Sequence, residues 1–176
     1  MTTQNITRPA RADEEFAQEI RAHHAHMVDE LDRLTSALRD SAPEKRQEHH
    51  ARLAQWFETV LVPHADEEEQ TTYRVAGELP DGAPLIEAMV REHVLIKRLV
   101  ALFGASDGAA AAAYARAAYE AFESHQRKEN EIILPLLLAA PQVSLRDALG
   151  GGHGHQTGHD HAHHHCYRLR PGSRAP

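Results

Sequence analysis

Residues 16–38 read FAQEIRAHHAHMVDELDRLTSAL, and their seam is Phe16, Ile20, His24, Met27, Leu31, Leu34 and Leu38. The spacings of 4, 4, 3, 4, 3 and 4 lay one side of an α-helix along a core. A half-buried strand would alternate with period two, and no stretch of useful length in the chain does so.

The same period recurs three times downstream. Ser41-Ala42-Pro43-Glu44 predicts the cap and first turn of a second helix, which carries Leu53, Phe57, Val60 or Leu61, His64, Glu68 and Val75 and stops before Gly77. Turn residues follow in Pro80-Asp81-Gly82-Ala83-Pro84. A third helix is predicted on Leu85, Met89, His93, Ile96, Val100 and Phe103, and a Gly104–Gly108 loop ends it. The fourth seam is Tyr114, Ala118, Phe122, His125, Glu129, Ile132 and Leu136, and it stops by Pro141. Short links between four long helices predict an all-α, up-down-up-down four-helix bundle. Its expected extent is 13–141, after a leader at 1–12 and before a disordered, histidine-rich tail at 142–176, with a short turn at 144–149. Pro63 and Pro135 oppose the pattern, because a proline inside a helix removes a hydrogen bond and costs about 3 kcal/mol. Pro63 would free the carbonyl of Thr59, and the resulting kink is expected to aim His64.

Composition narrows the function. The chain has 176 residues, 19 Lys and Arg against 26 Asp and Glu, and a net charge of −7. An acidic body without a basic stripe argues against nucleic-acid binding. The single cysteine, Cys166, excludes an internal disulfide framework and fits a reducing compartment. The N-terminus has no apolar signal core, and the apolar run at 132–140 is too short to span a bilayer. A cytoplasmic protein without a membrane partner is expected. No His-Glu-x-x-His, no Gly-x-x-x-x-Gly-Lys and no recognisable nucleophile motif is present, and nothing points to a particular enzymatic reaction.

The 15 histidines carry the functional signal. Each seam is interrupted near its middle by one of them: His24, His64, His93 and His125. Two are followed four residues later by glutamate, in His64-Ala-Asp-Glu-Glu68 and His125-Gln-Arg-Lys-Glu129, so each pair shares a helix face. The surroundings repeat as well, with Met27 and Leu31 after His24 matched by Ile96 and Val100 after His93. Two hairpins of the form His…His-x-x-x-Glu would bring four imidazoles and two carboxylates together. Buried charges are paired or bind metal, and no lysine or arginine shares these seam positions. Imidazole with carboxylate suits Fe, Mn or Zn. Six ligands exceed one tetrahedral zinc and suit two metals bridged by carboxylates. Ferritin-like carboxylate proteins would need Glu-x-x-His, which no histidine here satisfies.

This series of His24, His64, Glu68, His93, His125 and Glu129, with a proline beside the second histidine and Ile133-Leu134-Pro135 after the last glutamate, resembles the hemerythrin-like (HHE cation-binding) domains over about residues 13–140. The resemblance implies a four-helix bundle holding two iron ions bridged by Glu68 and Glu129. It implies chemistry with O2, NO or peroxide, redox sensing or iron handling. Oxygen-carrying members have a further histidine four residues after the third-helix ligand, where this chain has Lys97. That departure argues against reversible oxygen carriage. Water, substrate, Tyr114, Tyr119 or Glu92 could take the place of that ligand.

Other histidines read differently. His23 and His26 point away from the seam, although His23 is the alternative to His24 as ligand. His49 and His50 are expected on the surface. Asp66 and Glu67 read as a solvated acidic face, or else as partners of imidazole N–H groups, and Trp56 as core packing near the site. Residues 150–176 hold His153, His155, His159, His161, His163, His164 and His165 without hydrophobic periodicity. Such a tract binds Ni, Zn or Cu through ligand density, which supports an alternative function in metal storage or delivery.

Overall fold

The four apolar seams become four helical columns in a computed structural model that describes residues 7–150. Helix α1 (Thr7–Arg39) is the first column. The second joins α2 (Arg46–Trp56), a π-helical turn (Phe57–Leu61), α3 (Val62–Gln70) and α4 (Thr72–Gly77). The third is α5 (Gly82–Gly104), and the fourth joins α6 (Gly108–Lys128), a second π-helical turn (Glu129–Ile133) and α7 (Leu134–Ala139). Helix α1 packs on α2 and α6, and α5 packs on α6 and on the second column. The result is the up-down-up-down bundle, and the described residues include no strand. The tail beyond Gly150 lies outside the described residues.

Both prolines are accommodated the same way. Each π turn ends two residues before a proline, at Leu61-Val62-Pro63 and Ile133-Leu134-Pro135. The residue between closes the wide turn, with Val62 N–H donating to Phe57 O and Leu134 N–H to Glu129 O. Such a turn inserts one residue into the helical ladder. It therefore shifts the face that follows. The seam expected through Ile132 and Leu136 moves by one residue, so Ile132 is 45% exposed while Ile133, Leu134 and Leu137 are buried.

Three boundaries also differ from expectation. Ser41 does not cap the second helix; its hydroxyl donates to Leu38 O and closes α1 instead. Helix α1 starts at Thr7, inside the stretch expected to be a leader. After Pro141 the chain does not leave the bundle at once. Helix α8 (Leu145–Gly150) returns to α1 and α4, Leu145 is buried, and Asp13 Oδ1 accepts the Arg146 N–H at 3.2 Å.

The core falls into two apolar clusters. One gathers Met27, Leu31, Leu53, Phe57, Phe103 and Phe122; the other gathers Ala17, Ala76, Met89, Ile133, Leu137 and Leu145. The seam histidines and glutamates interrupt the helices between these clusters, as a polar layer across the bundle.

Candidate metal centre

Each column delivers one histidine to this layer: His24 from α1, His64 from α3, His93 from α5 and His125 from α6. Glu68 lies one turn beyond His64, and Glu129 one turn beyond His125. His24, Glu68, His93, His125 and Glu129 are buried, and His64 is half-buried. Ligand atoms of His24, His64, Glu68 and Glu129 lie within 4.8 Å of one another, and so do those of Glu68, His93, His125 and Glu129. The two sets share both glutamates. His24 is thus the α1 residue placed in the layer, whereas His23 is exposed at its mouth, with its ring centroid 5.5 Å from that of His64. Burial, reinforced by His64 and His24, lowers the His23 pKa.

Three imidazoles are oriented from behind. His24 Nδ1–H donates to Asn130 Oδ1 at 2.9 Å, His93 Nδ1–H to Glu69 Oε1 at 2.9 Å and His125 Nδ1–H to Glu92 Oε2 at 3.0 Å. Both backing carboxylates are themselves held by lysine. Lys97 donates to Glu69 at 3.1 Å and to Asp66 at 2.7 Å, and Lys128 donates to Glu92. Fixing the proton on Nδ1 leaves the Nε2 lone pair facing inward, the arrangement that ligating histidines use.

What those lone pairs meet tests the fit to a cation. His24 Nε2 lies 3.5 Å from Glu68 Oε1, His93 Nε2 3.5 Å from Glu68 Oε2 and His125 Nε2 3.6 Å from Glu129 Oε1. These are acceptors facing acceptors. Glu68 Oε2 and Glu129 Oε2 are buried and have no hydrogen-bond partner. Buried unsatisfied polar atoms cost free energy, and positive charge placed among them would satisfy both sides. The residues therefore fit a metal.

The titration behaviour follows from the same crowding. Burial opposes ionisation of Glu68, but the imidazoles of His24, His64 and His93 gathered around it hold its carboxyl well below the usual range. Burial and the neighbouring Glu68 charge push Glu129 well above it. Burial and then His93 push His125 down to about 4, so its imidazole is neutral at pH 7 and free to ligate.

Residues 15–137 match the hemerythrin HHE cation-binding domain. The chain belongs to this family. No curated protein and no solved structure is matched. Within this hemerythrin HHE chain, the six residues on the four seams all reach the polar layer.

The supporting residues are placed less as expected. Of the oxygen donors considered for the layer, Glu92 backs His125 rather than facing inward, Tyr114 packs with the apolar cluster of Phe57 and Phe103, and Tyr119 lies under Arg116. The hydroxyl that does reach the layer is Tyr73, buried at 2% exposure. It donates to Glu129 Oε1 at 2.5 Å and lies 2.9 Å from His125 Nε2. The expected unbroken second helix hid it. Thr71 breaks that helix (φ −117°, ψ −85°) and donates its hydroxyl to Glu67 O, a side-chain bond of the kind that competes with helical pairing. The break turns Tyr73 inward.

Glu69, not Asp66 or Glu67, contacts an imidazole. Asp66 holds Lys97, and Glu67 is exposed. The indole of Trp56 donates to Glu30 at 3.0 Å. His50 is not a solvated surface residue: it stacks on Phe103 with centroids 4.3 Å apart. Gln126, also buried, adds an amide 3.4 Å from His64 Nε2.

Proposed function

We propose that this hemerythrin HHE chain holds two iron ions in its core, bridged by Glu68 and Glu129, and reacts with or responds to O2, NO or peroxide. The reading is carried by two four-residue ligand sets that share those two glutamates. Imidazole and carboxylate together favour iron, manganese or zinc, and six ligands over two sets leave room for small molecules. Bound iron would supply redox change and Lewis acidity.

The chain's own residues supply the rest. Asn130, Glu69 and Glu92 fix the imidazoles, and Tyr73 holds a proton at Glu129 Oε1. Two apolar clusters flank the layer and exclude water from above and below. A cleft of about 300 Å³ runs from the surface past Phe16, Ile20 and His23 to His24, His64 and Glu68. It admits small ligands to one half of the centre.

Metal analysis and an optical spectrum of purified protein, followed by addition of peroxide or of NO without oxygen, test the proposal. Two irons per chain and a spectral change on addition are expected. Stoichiometric zinc would reject redox chemistry. Iron with no spectral response and no peroxide consumption would reject the proposed reactivity.

A further inference from the structure

We infer that Gln126 is a ligand of the centre, completing through its amide oxygen the half built from His24 and His64. The inference rests on the two-ion reading above.

Unpaired atoms point to it. Among the described residues, the buried side-chain atoms without a hydrogen-bond partner are Glu68 Oε2, Glu129 Oε2 and Gln126 Oε1. Two of the three belong to the glutamates that the two ion sets share. A buried acceptor without a partner costs free energy whichever side chain carries it, so a cation that relieves the glutamates can relieve the amide as well. Gln126 is 2% exposed, and packing alone does not ask for an amide there. In the internal repeat Gln126, next to His125, corresponds to Ala65, next to His64, and Ala65 is buried and apolar.

Placement agrees. Successive residues of an α-helix point about 100° apart, so α6 sends His125 to one half of the layer and Gln126 to the other. The Gln126 amide lies 3.4 Å from His64 Nε2, and His64 Nε2 lies 3.0 Å from Glu68 Oε1. Two donors each about 2.1 Å from one ion stand about 3.0–3.4 Å apart at octahedral to tetrahedral angles, and both distances fit that range. Without a cation the amide turns its NH2 end to His64. Half a turn about the last side-chain bond brings Oε1 to the same place.

A carbonyl oxygen is a hard donor for divalent ions. Coordination uses an oxygen lone pair, so no bond breaks, no proton leaves and no oxidation state changes. The amide adds a donor beside His24 and His64 without adding to the negative charge of Glu68 and Glu129. His24 and His64 line the cleft and Gln126 does not. Gln126 therefore holds the ion from the buried side and leaves the cleft side to small ligands.

Cobalt(II), a spectroscopic probe for the ferrous ion, is titrated into the full chain. Ions that survive gel filtration are counted by metal analysis and visible absorption. Two tightly held cobalt ions per chain are expected. Gln126→Leu is expected to weaken one of them by at least about 10-fold, which is what losing even an outer partner of a ligand costs. Gln126→Glu is expected to keep both, because a carboxylate oxygen takes the same place. If Gln126→Leu does not fold, the unsubstituted chain decides: labelled with 15N-glutamine, its cobalt form must show one side-chain amide with contact-shifted protons. Two tight ions in Gln126→Leu, equal losses in Gln126→Leu and Gln126→Glu, or no contact-shifted amide overturn the inference and leave the two-ion reading standing. An unsubstituted chain that holds fewer than two ions overturns both.

Discussion

Carboxylates behind imidazoles set the quality of the centre. Glu92 accepts from His125 and is clamped by Lys128, and burial of this carboxylate is outweighed by those partners, which hold its pKa below the ordinary value. Removing such a partner typically weakens metal binding about 10–100-fold. Glu92→Ala is therefore expected to lose affinity on that scale in competition with a chelator, whereas Glu120→Ala, on the exposed surface, keeps it. Equal affinities would show that His125 needs no orienting group. At this scale the residues that meet in the layer were legible in the sequence and their supports were not. His24, His64, His93, His125, Glu68 and Glu129 occupy seam positions, which helical period reveals. Asn130, Glu69 and Lys97 act across neighbouring helices, through contacts that no local spacing encodes. Tyr73 sits five residues after Glu68, off the seam of any unbroken helix, and reaches the layer through the irregular backbone at Thr71.

Departures from regular helix are what correct the period-based reading at the level of elements. The π turn at Glu129–Ile133 moves the core face by one residue, so Ile133 is fully buried and Ile132 is not. Ile133→Ala is expected to cost about 3 kcal/mol in denaturant unfolding, within the range for deleting a buried isoleucine. Ile132→Ala should stay within about 0.5 kcal/mol, as exposed substitutions do. Similar losses at both positions would contradict the shift. The prolines announced that something had to give near both sites, but not that a wide turn would absorb them. The turn before α5 is sharper still. A Cβ on Gly82 would lie 1.9 Å from the carbonyl oxygen of Ala76, and backbone cannot swing aside as a side chain can. Gly82→Ala is expected to destabilise the bundle by more than about 2 kcal/mol, measured by thermal unfolding; a neutral result would mean that the α4–α5 turn rearranges freely.

Across the whole molecule, a polar layer divides one core into two, and this couples stability to metal. Four imidazoles and two glutamates in the midst of apolar packing leave Glu68 Oε2 and Glu129 Oε2 unpaired without a cation. A metal held by this layer would favour the folded arrangement over the unfolded chain, in which these six residues are scattered over more than 100 positions. At a free metal concentration about 100 times Kd, mass action adds about 2.7 kcal/mol. For a domain of this size that corresponds to roughly 5–10 °C in melting temperature. Chelation should lower the melting temperature by about that much, and restoring metal should reverse the loss. Ending the chain after Gly150 removes seven histidines of the tail but leaves every seam histidine and glutamate in place. The truncated chain should therefore keep two metals and the same chelation shift. If truncation instead removes most of the metal while the bundle melts unchanged with or without chelator, the tail is the binding element, and storage or delivery replaces core chemistry as the function.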